Sequence, residues 1–378
     1  MKKFNSRKLT DNELSYMYFQ ELANPYFEIF MECEEIHNID FIEKSINQVL
    51  QHFIELNSEI VNKKYVYKKQ NIQIKIIENN FDGYNFEDLQ GKLENNNSII
   101  QVYVINKKYI IFRFNHSFID AKGAFLFIRA LMQIINRQMI NIDTTCYIGD
   151  IDFVKELPKN KEKRDLFYNN KLVKKSMNKS NENYYKRITI NKNIPFALSK
   201  ILIIMSKYFK NTNLTYLLPT DIRHFNKDIV SLSNLVEPLY LRCKKDDSWI
   251  EISKKIHNDI NTYKNINSKN MKYGIILKTH PIFFKILIKV SCTIQNLTNC
   301  FLTSGSITSI ISNISECSSK DLVVKSVFVK PFYQPLLPFV IEIVEQKNKM
   351  EIIFASNTNY IDFETANEIL DDIKNLEN

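Results

Sequence analysis

Histidine is the side chain best matched to moving a proton near neutral pH, and one of the six histidines stands where that chemistry is feasible. The stretch FRFNHSFIDAKGAF, residues 112–125, puts His116 just past an alternating apolar run, with Asp120 four residues on and Gly123 three further. A side chain at a strand end can leave the core, and a neutral imidazole there can take the proton of an attacking hydroxyl or amine. Asp120 is placed to sit at the N-cap of the next helix, whose free N–H groups favour a carboxylate. Held there, or paired with an arginine, it would fix the loop and hence the imidazole. Gly123, in the first turn, permits close packing of the helix start. The HxxxD spacing alone selects nothing, because His224 and Asp228 repeat it in the polar RHFNKD. Only His116 has a strand before it, an apolar helix after it and a glycine beyond the aspartate.

The elements around this stretch follow from its pattern. SIIQVYVI and YIIFRFN flank NKK (106–108) and predict a hairpin ending at the histidine, and residues 121–138 predict an apolar helix. Upstream, Thr10 and Glu13 have capping-box spacing before a helix over 11–22. A strand over 26–33, an amphipathic helix over 40–56 and strands in KYVYKK and IQIKII follow. Downstream, the pattern predicts strands in YYKRITI, LTYLLPTDIR (214–223) and SNLVEPLYLRC (233–243), and helices over 194–209, 248–265 and within 281–300. SITSIISNIS, LVVKSVFVK, FVIEIVEQ and MEIIFASNT then read as strands, and residues 363–376 as a closing helix. Hairpins are common and regular βαβ spacing is missing. The expected fold class is α/β (α+β), with mixed, largely antiparallel sheets flanked by helices in two lobes. The expected boundaries are 1–153 for the lobe carrying the histidine, 154–183 for a basic linker and 184–378 for the second lobe.

Composition narrows the function. A length of 378 residues is too great for one ordinary domain. Most of the net charge of +9 sits between Lys155 and Arg187, where eleven basic residues face four acidic ones. That stretch has no recurring aromatics for base stacking, so a nucleic-acid partner is not expected. It reads as a solvated linker, or as a basic edge for a phosphate-bearing partner. Six scattered cysteines (33, 146, 243, 292, 300 and 317) form no CxxC pair, which argues against a metal knuckle and for a reducing compartment. With no apolar stretch behind the basic N-terminus, a cytoplasmic protein is expected. The apolar segments 194–209 and 281–294 are short and interrupted by lysines. They read as buried or half-buried helices rather than membrane spans, with a peripheral membrane contact as the other reading. Six glycines make neither GxGxxG nor GxxxxGK[ST], so nucleotide-binding loops are unsupported, and no GxSxG is present.

NHSFIDAKG resembles the HHxxxDG signature of the acyltransferase superfamily that includes chloramphenicol acetyltransferase, condensation domains of peptide synthetases and alcohol acetyltransferase-like proteins. LPTDIR…SNLVEPLYLRC is similar to the "PVDLR…N…LPL" strand pair of these enzymes, and SIISNIS (309–315) to their later Ser/Asn-bearing strand. Asn115 stands at the first histidine of the signature, Ala121 at its glycine and Gly123 at the second glycine of the looser DGxG form. The resemblance implies two chloramphenicol-acetyltransferase-like lobes with an active-site tunnel between them. It implies His116 as general base, Asp120 as the carboxylate positioning its loop, and Arg223 as the partner of Asp120, with Asp221 as a rival. Ser312 and Asn313 become candidates for the oxyanion wall. No metal and no permanently bound cofactor are expected. Acyl-CoA or a carrier-protein phosphopantetheine thioester is the implied co-substrate, a small hydroxyl or amine compound the acceptor, and a monomer the implied state. A free-standing condensation-type amide synthase working with carrier proteins stays open. So does a non-catalytic module that kept the fold, a reading that rests on Ala121.

Overall fold

Phe112 and Phe114 alternate with Arg113, and that period of two decides how the first sheet is layered. The computed structural model describes residues 6–19, 25–89, 91–93, 98–142, 170–174, 176, 181–225, 230–262 and 281–377. The chain forms two compact units, one of Met1–Lys155, Asp221–Val236 and Ile311–Phe332, the other of Glu156–Thr220, Glu237–Ile310 and Tyr333–Asn378. The units therefore interleave along the chain, whereas the sequence reading kept 184–378 in one lobe. Most of the basic segment 154–183 lies outside the described residues, as do Cys146 and Asp228.

In the first unit a capping box opens helix α1 (Asp11–Phe19), with the Glu13 carboxylate accepting from the Thr10 N–H at 2.7 Å and Thr10 Oγ1 accepting from the Glu13 N–H at 3.3 Å. Strands β1 (Ser6–Lys8), β3 (Ser58–Val61) and β4 (Lys64–Tyr67) form a small sheet in the order β1-β4-β3. The alternation rule had found only β4 of these. The main sheet runs β14-β2-β7-β6-β5, from β2 (Tyr26–Cys33), β5 (Ile74–Ile77), β6 (Ile100–Ile105), β7 (Tyr109–Asn115) and β14 (Val324–Lys330). β5 pairs parallel to β6, and the other pairs in this sheet are antiparallel. Its apolar face packs on α3 (Ala121–Ile135), with Phe112 and Phe114 set edge-on to Phe127 at ring separations of 6.3 and 6.0 Å, and α2 (Ile39–His52) packs against α3. The opposite face carries a polar row across four strands. Lys330 Nζ lies 2.7 Å from Glu28, whose other oxygen is 3.2 Å from Arg113 Nε, and Arg113 donates to Gln101 at 3.3 Å.

The second unit holds a six-stranded mixed sheet in the order β11-β10-β13-β15-β16-β9. Its strands are β9 (Asn183–Ile190), β10 (Asn213–Asp221), β11 (Val236–Lys244), β13 (Gly305–Ile311), β15 (Phe339–Gln346) and β16 (Lys349–Asn357). β8 (Asn170–Lys171) and β12 (Cys300–Phe301) make a two-residue ladder. Gly305, at φ +135°, begins β13 because a Cβ there would lie 2.4 Å from the Phe339 ring. The helices are α4 (Ala197–Ser206), α5 (Trp249–Thr262), α6 (Pro281–Thr298) and α7 (Phe363–Lys374). Helix α4 is largely buried, as its apolar run implies. Helix α6 is not, for Phe283, Ile286, Leu287, Val290, Ile294 and Leu297 all point outward, at 49–73% exposure. Of the two forms expected for 281–294, buried or half-buried, the half-buried one is present, with Phe284 and Ile288 on the buried side.

Candidate functional site

The hairpin β6–β7 delivers His116 at the end of β7, where the backbone turns instead of continuing the ladder. The His116 N–H donates to the Pro25 carbonyl at 2.9 Å, and Phe118 N–H to the Asn115 carbonyl at 3.0 Å. Asn115 shapes this turn with its side chain, Oδ1 accepting from the Ser117 N–H at 3.0 Å and the Ser117 hydroxyl at 2.6 Å. It is buried, and it also hydrogen-bonds the Tyr26 side chain on the neighbouring strand β2.

Asp120 closes the loop. It is the N-cap of α3, with Oδ1 accepting from the Gly123 N–H at 2.8 Å. Arg223 Nη2 donates to the same oxygen at 3.1 Å, while Oδ2 accepts from Arg223 Nη1 at 2.9 Å and from the Leu235 N–H at 2.8 Å. All of the acceptor capacity facing the protein is thus engaged, and the carboxylate has no surface exposure. Arg223 is equally committed. Its remaining N–H groups go to the Ser231 carbonyl at 3.0 Å, the Ser233 carbonyl at 2.6 Å and Asp221 at 2.8 Å. Both aspartates therefore pair with Arg223, but only Asp120 is bidentate. The arginine sits in a 3-10 turn, Ile222–Phe225, because β10 ends at Asp221 rather than running to 223.

Gly123 explains how the loop and the 231–235 segment can lie so close. A Cβ at this position would be 2.2 Å from the Leu232 carbonyl oxygen, so only glycine fits. Ala121 occupies the first position of α3 and is not among the residues with left-handed φ, so the backbone there is one that alanine adopts freely.

The imidazole of His116 is half-buried in an aromatic nest. Tyr16 stacks on it at 4.2 Å with planes 9° apart, Phe27 meets it edge-on at 5.0 Å and Phe332 at 6.3 Å. Asn234, fully buried, donates through Nδ2 to the His116 carbonyl at 2.8 Å and lies 3.2 Å from Nδ1. Among the described residues none hydrogen-bonds Nε2. Burial depresses the imidazole pKa to about 4, against the opposing pull of its own backbone carbonyl and of the Asp120 charge. The ring is therefore neutral at pH 7, the form a general base needs.

Ser312 and Asn313 follow β13, which stops at Ile311. Ser312 is buried, with Oγ 3.4 Å from the Ile314 N–H, and Asn313 is exposed ahead of the Ile314–Cys317 turn. Neither is among the contacts of the His116 ring. Two residues that are, Tyr16 and Asn234, were not candidates from sequence. Asn234 is the Asn of the quoted SNLVEPL segment and carried that signal, whereas nothing in α1 marked Tyr16.

Comparison with protein-family profiles and with curated proteins found no match. Solved structures do match over nearly the whole chain. The condensation domain of the monacolin K polyketide synthase MokA aligns at 8% identity and TM-score 0.62, covering 99% of this chain and 97% of its own. The chain has the condensation-domain fold. A starter condensation domain mutant of the rhizomide synthetase RzmA, in complex with C8-CoA and Leu-SNAC, aligns at 9% identity and TM-score 0.64, over 99% of this chain and 94% of its own. The mixed α/β fold with two lobes that was expected from the motif is the fold present. Among the described residues no helix is long and apolar enough to cross a membrane, and no cluster of His, Cys, Asp and Glu could hold a metal ion.

Proposed function

We propose that the protein is an acyltransferase that moves an acyl group from a thioester, acyl-CoA or carrier-bound phosphopantetheine, to a hydroxyl or amine of a small acceptor. The observation that supports this best is the neutral His116 ring, whose Nδ1–H is turned to its own backbone carbonyl, itself held by Asn234 Nδ2 at 2.8 Å, so that the lone pair falls on Nε2, which is unclaimed among the described residues. Nε2 takes the acceptor's proton as the oxygen or nitrogen bonds to the thioester carbonyl carbon. The tetrahedral oxyanion then collapses, the C–S bond breaks, and the imidazolium returns its proton to the leaving thiolate. Asp120 takes no proton in this scheme. It is a positioning residue, saturated by Arg223 and two backbone N–H groups. Ser312 and Asn313 remain the proposed oxyanion side on the strength of the motif resemblance alone.

The condensation-domain fold favours a second reading, an amide synthase that accepts only carrier-bound donors. One assay separates the two. Thiol release is followed with free acyl-CoA donors, beginning with the C8 chain bound by the RzmA domain, and with the same acyl group on a carrier protein, against a panel of alcohols and amines. Turnover of free acyl-CoA, or transfer to an alcohol from either donor, selects the first reading, and transfer to amines alone from the carrier-bound donor alone selects the second. Under either, His116→Ala lowers the rate by roughly 10²–10⁴-fold. Thiol release by that variant at the wild-type rate removes His116 as the base.

A further inference from the structure

Helix α6 carries an outward apolar stripe. At 3.6 residues per turn, Phe283, Ile286, Leu287, Val290, Ile294 and Leu297 fall within an arc of about 100°. The stripe runs about 21 Å along the helix axis. Each of the six is at least 49% exposed, while Phe284 and Ile288, on the inner side, are buried. Lys289, also exposed, lies about 60° beyond the edge of the arc. The surrounding sequence is one-signed. From Ile260 to Ser315 the chain has six lysines and no aspartate or glutamate over 56 residues, although acids average one residue in nine across the whole sequence, 42 of 378. A long apolar face on a helix whose own charged residues are two lysines, Lys285 and Lys289, and no acid, has the physical character of a helix lying in the plane of a bilayer surface, its greasy side among the acyl chains and its lysines toward the headgroups. An acidic protein would be met by the lysines but would leave six large apolar side chains without an equally apolar partner.

We propose that α6 docks the protein peripherally on a membrane surface containing anionic lipid. The contact lies in the second unit and does not depend on the acyl-transfer reading, since it requires no turnover.

The full chain is mixed with vesicles of phosphatidylcholine alone and of phosphatidylcholine with phosphatidylglycerol, and bound protein is separated by flotation. The wild type is expected to float with the anionic vesicles and to be released by raised salt. Phe283→Glu/Leu287→Glu should abolish flotation, and Lys289→Gln should weaken partitioning about fivefold, as expected for one lysine near an anionic surface. All three replaced side chains are outward-facing, so unchanged thermal melting is the control for folding. Wild type that floats with neither vesicle overturns the proposal. So does salt-sensitive binding that Lys289→Gln weakens and the double glutamate variant leaves intact, which would mean a polyanion held by charge alone. A dimer in sedimentation that the double variant dissolves, with no flotation, also overturns it by naming a second copy as the occupant.

Discussion

At the scale of single residues, the chemistry turns on how dry the imidazole of His116 is. Tyr16 covers one face at 4.2 Å, and the rings of Phe27 and Phe332 crowd its edges, so a charge on the ring would lose water without gaining a counter-ion in contact. That is why the Asp120 charge, already neutralised by Arg223, offsets burial only in part. The base stays ready over a wide range as a result. The acid limb of kcat/KM for thiol release is expected near pH 4 rather than near the ordinary histidine value of about 6.5. Replacing Tyr16 by alanine lets water reach the ring, so the limb should move upward toward that ordinary value. A pH profile of each enzyme checks this, and a limb that stays in place in the variant would show that Tyr16 does not set the solvation of the base.

At the scale of elements, the site is a splice between a strand–loop–helix and a segment more than a hundred residues later. The Asp120–Arg223 pair is buried on both sides and saturated with hydrogen bonds, so deleting Arg223 leaves the Asp120 carboxylate as an uncompensated interior charge, at a cost of about 3–5 kcal/mol, whereas deleting Asp120 leaves Arg223 still paired with Asp221. Arg223→Lys keeps the charge but cannot reproduce five directed N–H donors. It should lower the melting temperature and the rate together, while leaving the acid limb of the pH profile unmoved, because Nε2 is untouched. Gly123→Ala should also fold poorly, since the Leu232 carbonyl has no room to yield to a methyl group. Much of this was legible in the sequence. Alternation fixed the hairpin and placed His116 at its end, capping chemistry placed Asp120 at the start of α3, and the DIR segment pointed to Arg223. Other parts were silent for physical reasons. The stack of Tyr16 on His116 joins residues a hundred positions apart, and no local period encodes such a contact. The end of β13 at Ile311 was missed because the Ser- and Ile-rich composition of SITSIISNIS runs on past it with no glycine or proline to mark a stop. Whether α6 is buried or half-buried was left open because an apolar helix reads the same whether its second face meets protein or something else.

At the scale of the whole molecule, the two units carry buried titratable groups that respond to pH in opposite senses. In the first unit His116 has its folded pKa depressed to about 4. The unfolded chain therefore binds the extra proton first as pH falls, and stability is lost between about 6.5 and about 4, an interval worth about 3 kcal/mol. In the second unit Glu342 lies in β15 with Oε1 lacking a hydrogen-bond partner, and burial pushes its pKa up to about 8, only partly countered by Thr308. Here the folded state holds the proton longer than the unfolded chain does, so stability is lost as pH rises from about 4.5 toward about 8. Between pH 4.5 and 6.5 the two slopes oppose each other. Outside that window one group acts alone. Glu342→Gln, which keeps the shape and removes the ionisation, should therefore raise the melting temperature above wild type at pH 8 and change it little at pH 4. His116→Gln should do the reverse, gaining on wild type at pH 4 and not at pH 8. Calorimetric melts of the three proteins at both pH values test the pair. If Glu342→Gln gives no relative gain at alkaline pH, the carboxyl is not held protonated in the folded second unit, and the asymmetry between the units would have to be abandoned.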